Sequence, residues 1–186
     1  MKDVAGHVVL LRGANVGGKN VFKVAPLMKK LAALDIVNLG AAGTFIVRAK
    51  VSPARIRREL EAALPFKPRM SIVTAKEIVE LVESEPFKNV KFVPHKLRGW
   101  AAVLEGPAKA RPKLPIEKRP GALWSVRFER VAGRFALGIW RRPAAGGFVF
   151  PSDVVERAMG VSATTRFWET LVRLAALISS RRRQGP

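Results

Sequence analysis

Between residues 7 and 73, apolar residues gather alternately in short runs of strand length and in stripes at helical spacing, in the order β-α-β-β-α-β. His7 to Leu11 is apolar on both faces, as a buried strand requires. Val24, Leu27, Met28, Leu31 and Leu34 then fall at helical spacing, with Lys23, Lys29 and Lys30 off that stripe. Pro26 suits the first turn, where its missing N–H costs nothing. Ile36 to Leu39 and Thr44 to Ala49 read as two strands joined through Gly40-Ala41-Ala42-Gly43. Ser52-Pro53 supplies an N-cap and a proline at the first helical position, ahead of a stripe of Ile56, Leu60, Ala63 and Leu64. Arg55, Arg57 and Arg58 crowd that helix start, where the dipole disfavours cations. Met70 to Val73 reads as the fourth strand.

That order is the order of a ferredoxin-like sheet with its helices on one face. Residues 1–73 are therefore expected to form a ferredoxin-like α+β half, and residues 74–186 a second, smaller α+β half packed on it without a true linker. A single compact domain satisfies the pattern too.

The second half begins with a capping box, Thr74-x-x-Glu77, and a stripe of Ile78, Leu81 and Val82 that stops before Pro86. Strands are expected from Val90-x-Phe92 and from Trp100 to Leu104. Residues 106–121 carry Pro107, Pro112, Pro115 and Pro120 among Lys109, Arg111, Lys113, Lys118 and Arg119, and read as an exposed, extended, mobile connection. Pro112-x-x-Pro115 also fits a polyproline-recognition pattern, a cheap match. Trp124, Val126 and Phe128, then Phe135, Leu137 and Ile139, alternate with other residues around Val131-Ala132-Gly133, which predicts a hairpin. After Gly146-Gly147, Ser152 is expected to cap a short helix closed by Gly160. The last helix is expected from about Arg166 to Ser179, buried through Phe167, Leu171, Leu174 and Ile178, with Arg181-Arg182-Arg183 as a frayed tail.

Charge narrows the partner more than the fold. Lys and Arg number 34 against 14 Asp and Glu, a net +20 with a pI near 11.6. Such an excess is the footprint of a nucleic-acid binder, and equally a way to stay soluble. Cysteine and tyrosine are absent, which removes disulfides, thiolate chemistry, cysteine metal sites and a common acid/base group. No run approaches the ~18 apolar residues that span a bilayer. The chain also opens without a basic-then-apolar leader, so a cytoplasmic protein without membrane attachment is expected.

One stretch invites a ligand. From Leu10 to Asn20 an apolar run ends in Arg12-Gly13-Ala14-Asn15-Val16-Gly17-Gly18-Lys19, and a helical pattern follows. Backbone N–H groups in such a turn can converge on an anion, with Arg12 and Lys19 adding charge. Gly13-x-x-x-x-Gly18-Lys19 meets all but the last position of a phosphate loop, since Asn20 stands where Ser or Thr should bind magnesium. The absence of a following strand ending in Asp argues against nucleotide hydrolysis. An anion-binding turn and a turn needing only glycine geometry both stay open.

Leu10 to Asn20 resembles the signature opening of the Domain of Unknown Function 1697 family, small bacterial proteins without an established biochemical role. Thr164-Thr165-Arg166-Phe167-Trp168-Glu169-Thr170-Leu171 resembles that family's closing motif, and Pro86-Phe87 sits where a helix-ending Pro-Phe pair is usual. The resemblance runs from about Val8 to Leu177 and implies a fold. Two departures stand out: Phe167 replaces an asparagine, and Ala41-Ala42-Gly43-Thr44 replaces a Gln-Ser-Gly-Asn-like run. Arg166 near a helix start would favour an anion. The two terminal motifs are thus expected to meet in one anion site of Arg12, Gly13, Asn15, Gly17, Gly18, Lys19, Thr165 and Arg166.

Catalysis finds little footing. His7 and His95 are isolated, no metal-ligand spacing occurs, carboxylates are scattered, and no cofactor is implied. What remains is basic plus aromatic: Arg127, Arg134, Arg141 and Arg142, with Trp140 as the expected exposed stacking face. The leading expectation is a polyanion binder, above all of nucleic acid, working mainly by charge. The alternative is an enzyme or small-ligand binder with a phosphate or carboxylate site, and a homodimer through an edge strand is a further option.

Overall fold

Two antiparallel sheets and five α-helices make up the described residues of this computed structural model, which are 6–143 and 149–180. The Gly146-Gly147 turn and the Arg181–Arg183 tail lie outside them. The chain divides into two compact units. One takes the chain up to Ser84 and again from Arg173; the other is Glu85–Val172.

In the first unit, β1 (His7–Leu11), α1 (Val24–Lys30), β2 (Ile36–Asn38), β3 (Thr44–Val47), α2 (Pro53–Ala63), β4 (Met70–Thr74) and α3 (Ala75–Glu83) follow one another. The sheet order is β2-β3-β1-β4, with β1 antiparallel to both β3 and β4. Val9, Leu11, Phe45, Val47, Met70 and Ile72 leave one face of the sheet and meet Leu27, Leu31 and Leu34 beside α1 and Ile56 and Leu60 of α2. The helical stripes read from sequence are therefore the buried ones, and both helices cover the same face.

Local chemistry fixes the element ends. Ser52 Oγ accepts from Arg55 N at 3.3 Å, and Pro53 opens α2. Thr74 Oγ1 accepts from Glu77 N at 3.2 Å while Glu77 accepts from Thr74 N at 2.8 Å, a complete capping box for α3. The arginines at the start of α2 find compensation: Arg55 pairs with Glu59 at 2.7 Å, and Arg57 donates to Met70 O at 3.2 Å.

The second unit holds β5 (Leu97–Leu104), β6 (Ile116–Lys118), β7 (Val126–Ala132), β8 (Phe135–Arg141), α4 (Pro151–Met159), β9 (Ala163–Phe167) and the first turn of α5 (Trp168–Ser180). Its sheet runs β6-β7-β8-β5-β9. α4 packs on one face through Val155 and Met159, against Trp100, Ala102, Val126, Phe128, Ala136 and Ala163.

Four expectations need correction here. Val90-x-Phe92 forms no strand; only an isolated bridge joins Val93 to Leu97, and Phe92 packs edge-on to Phe87 instead. The proline-rich 106–121 stretch is largely exposed as read, but Ile116–Lys118 joins the sheet beside β7. Ser152 lies inside α4 and not at its cap, because Pro151 takes the first helical position; Gly160, at φ 65°, does end the helix. Thr164 to Phe167 form β9 rather than a helix start. Their β-branched and aromatic side chains fit the edge of β5, and α5 begins only at Trp168.

Candidate functional site

The glycine-rich stretch continues β1 as a tight excursion that returns on itself. Val16 and Lys19 bridge, Lys19 N donates to Val16 O at 3.1 Å, and Gly17 and Gly18 between them have φ of 59° and 72°. Two consecutive positive φ values mark a type I′ turn, for which glycine pays no steric cost. Lys19 and both glycines are exposed, so the tip projects with its charge outward.

The base of the loop is tied down from three sides. Leu11 N donates to Gly43 O at 2.7 Å and Arg12 N to Arg69 O at 2.8 Å. Asn15 does the rest. Its Nδ2 donates to Ala41 O at 2.9 Å and Phe22 O at 3.3 Å, and its Oδ1 accepts from Phe22 N at 2.9 Å. Asn15 therefore staples the loop to the β2–β3 turn and to the chain leading into α1. Asn20 adds a bond from Nδ2 to Gly13 O at 3.3 Å. The amide of Asn15 faces backbone, so its part in this site is to hold the loop's shape.

The closing motif belongs to the second unit, while the Gly13–Lys19 loop belongs to the first. On β9 the side chains alternate. Ala163 and Phe167 join the α4-side core, which puts Thr165 on that face and Thr164 and Arg166 on the other. Thr165 and Arg166, expected to act together, leave the strand in opposite directions. Arg166 donates from Nη1 to Thr165 O at 2.9 Å, and burial pushes its pKa down to about 10. It stays a cation at neutral pH. Phe167 is capped by Arg98, whose guanidinium lies 3.5 Å over the ring and reaches Glu169 in a bidentate pair at 3.1 Å.

Trp140 is not an exposed stacking face. It is 6% exposed, packed edge-on to Phe167 with ring centroids 5.7 Å apart. The reason is the position of β8 between β5 and β7 with both faces covered: Phe135, Ala136, Leu137, Ile139 and Trp140 are all buried. Alternation assumed one wet face, and β8 has none. Arg134 donates to Leu104 O at 3.2 Å beside a cavity of about 290 Å³ lined mainly by apolar residues.

The aromatic that alternation misplaced is Trp124. It precedes β7 and is partly exposed. Arg141 lies 4.1 Å over its ring and Arg127 5.9 Å away, and Arg142 beside them is exposed. Glu117 and Glu129 hold Arg127 at 3.9 and 3.4 Å, and Glu117 also holds Arg119. The sequence signal is the Gly121 that lies three residues before Trp124 and marks a turn there, and in the structure Trp124 stands outside the paired strand.

Among the described residues no group of three or more His, Asp or Glu stands together as a metal site, and no helix is long and apolar enough to cross a membrane. His7, on β1, has its pKa lowered by burial, with Glu77 opposing in part.

Two antiparallel sheets with five helices define a mixed α/β protein. Residues 4–111, more than half the chain, match the family described as Protein of unknown function (DUF1697), and the chain belongs to that family. Its structure is similar to that of the conserved bacterial protein SP0830 from Streptococcus pneumoniae, with TM-score 0.60 and 16% identity over 93% of this chain and 98% of that one. At that identity the likeness speaks to fold alone. No curated protein matches the chain.

Proposed function

We propose that this is a cytoplasmic, ferredoxin-like α+β protein that binds nucleic acid through its positive charge. The β2-β3-β1-β4 strand order, with α1 and α2 on one face, supports the ferredoxin-like reading of the first unit. The cysteine-free composition is compatible with a reducing compartment.

One observation carries the binding reading. Within a chain of net charge +20, Lys109, Arg111 and Lys113 on the connection into β6 and Lys118 at the end of β6 are all exposed, and none engages a carboxylate among the described residues. Solvated cations in such density release counterions from a phosphate backbone at little structural cost. The small-ligand alternative has less support. Asn15 is committed to backbone, and Thr165 and Arg166 diverge.

The test is fluorescence polarisation with labelled single- and double-stranded oligonucleotides at low salt. The native protein is expected to bind both. Replacing Lys109, Arg111, Lys113 and Lys118 together by glutamate should abolish most of the affinity without changing the melting temperature. Affinity no tighter than about 1 mM, where binding is worth only about 4 kcal/mol, removes the reading.

A further inference from the structure

We infer that Trp124 is the base-stacking platform of the nucleic-acid surface and that it selects single strands. This rests on the binding reading above and deepens it.

The four tryptophans differ in kind. Trp100 is fully buried and Trp140 is 6% exposed. Trp168 packs edge-on to Phe87 with ring centroids 5.1 Å apart. Trp124 alone combines partial exposure with guanidinium neighbours, and the adjoining Leu123 is 62% exposed. Two backbone bonds fix the place of this segment on the sheet: Ser125 N donates to Lys118 O at 2.8 Å, and Arg141 N to Ser125 O at 2.7 Å. Lys118 and Arg141 are thereby held on either side of the residue next to Trp124.

The charge at this spot is arranged unevenly. Glu117 and Glu129 occupy Arg127, and Glu117 also takes Arg119. Among the described residues Arg141, Arg142 and Lys118 have no carboxylate partner, and the guanidinium of Arg141 stacks on the indole instead. With Arg141 stacked over one face, the indole has only the ring surface that its partial exposure leaves to offer a nucleobase, while Arg141, Arg142 and Lys118 offer the flanking phosphates their counter-charge. A duplex keeps its bases stacked on one another and cannot use the ring. A single strand can, and stacking tolerates any base, because every base has a π face.

The probe is oligothymidylate of about 16 nucleotides, the upper site size for one single-strand module. Heparin, polyanionic but without bases, is the control. Trp124→Ala is expected to weaken oligothymidylate binding by about 5- to 150-fold, leave heparin binding unchanged, and leave the salt slope unchanged because no charge is lost. Trp124→Phe should keep most of the affinity. Arg141→Ala with Arg142→Ala should instead flatten the salt slope for both ligands. If the native protein binds oligothymidylate and heparin and Trp124→Ala binds both as tightly, the stacking inference is wrong and charge-driven binding stands. If the native protein binds neither, both readings fail.

Discussion

Replacing Asn15 separates a loop built for shape from a loop built for ligand. Its carboxamide makes three hydrogen bonds, at 2.9, 2.9 and 3.3 Å, that join three segments of the first unit. Each net hydrogen bond of this kind contributes about 0.5–1.5 kcal/mol. The bond to Ala41 O is solvent-exposed and sits at the lower end of that range, so the side chain contributes about 2–3 kcal/mol. Asn15 also has φ of 53°, where alanine costs about 1 kcal/mol more than asparagine or glycine. Asn15→Ala should therefore destabilise by about 3–4 kcal/mol, and Asn15→Gly by about 1 kcal/mol less, since glycine relieves the backbone but restores no bond. Urea denaturation of the two variants beside the native chain reads both values. Loss below about 0.5 kcal/mol in Asn15→Ala, the size of an ordinary surface substitution, would refute the staple. So would a glycine variant less stable than the alanine one.

Three further outcomes follow from the same geometry. Trp140→Ala should cost about 3–5 kcal/mol, as truncation of a buried aromatic does, and calorimetry should show it; a near-native melting temperature would return Trp140 to the surface. Thr74→Ala removes half of the α3 capping box and should cost about 1 kcal/mol in the same experiment, with Thr74→Ser restoring most of it. His7 is held below its ordinary pKa of 6.5 by burial, so the unfolded chain takes up the proton more readily than the folded one. Its contribution is fully present above pH 6.5 and is lost on acidification, and His7→Gln should flatten the fall in melting temperature as the pH drops below that value.

The first unit was legible because its elements are bounded by local chemistry. Ser52-Pro53 and Thr74-x-x-Glu77 declare helix starts, and the stripes Leu27–Leu31–Leu34 and Ile56–Leu60 are the residues buried. The second unit was less so, because its outcome depends on pairing across long sequence distances. Thr164 to Phe167 carry a plausible helix cap, yet β5, about sixty residues earlier, claims them as a strand. Ile116–Lys118 is a three-residue strand hidden among prolines, visible only through its register with Phe128 to Val126. Trp140 alternates as an outward residue would, and only the central place of β8 buries it. The Gly13–Lys19 turn was recognisable from its glycines. The three bonds of Asn15 were not, since Ala41 and Phe22 reach it only after the sheet has formed.

A salt series separates charge-driven nucleic-acid binding from any other kind. With the native protein and one labelled single strand, log K against log[salt] should be linear, with a slope of about −0.7 for each phosphate neutralised. Engagement of Lys109, Arg111, Lys113 and Lys118 together with Arg141 and Arg142 would give a slope near −4. A slope near zero with measurable affinity would contradict the claim, because binding would then owe little to the +20 charge.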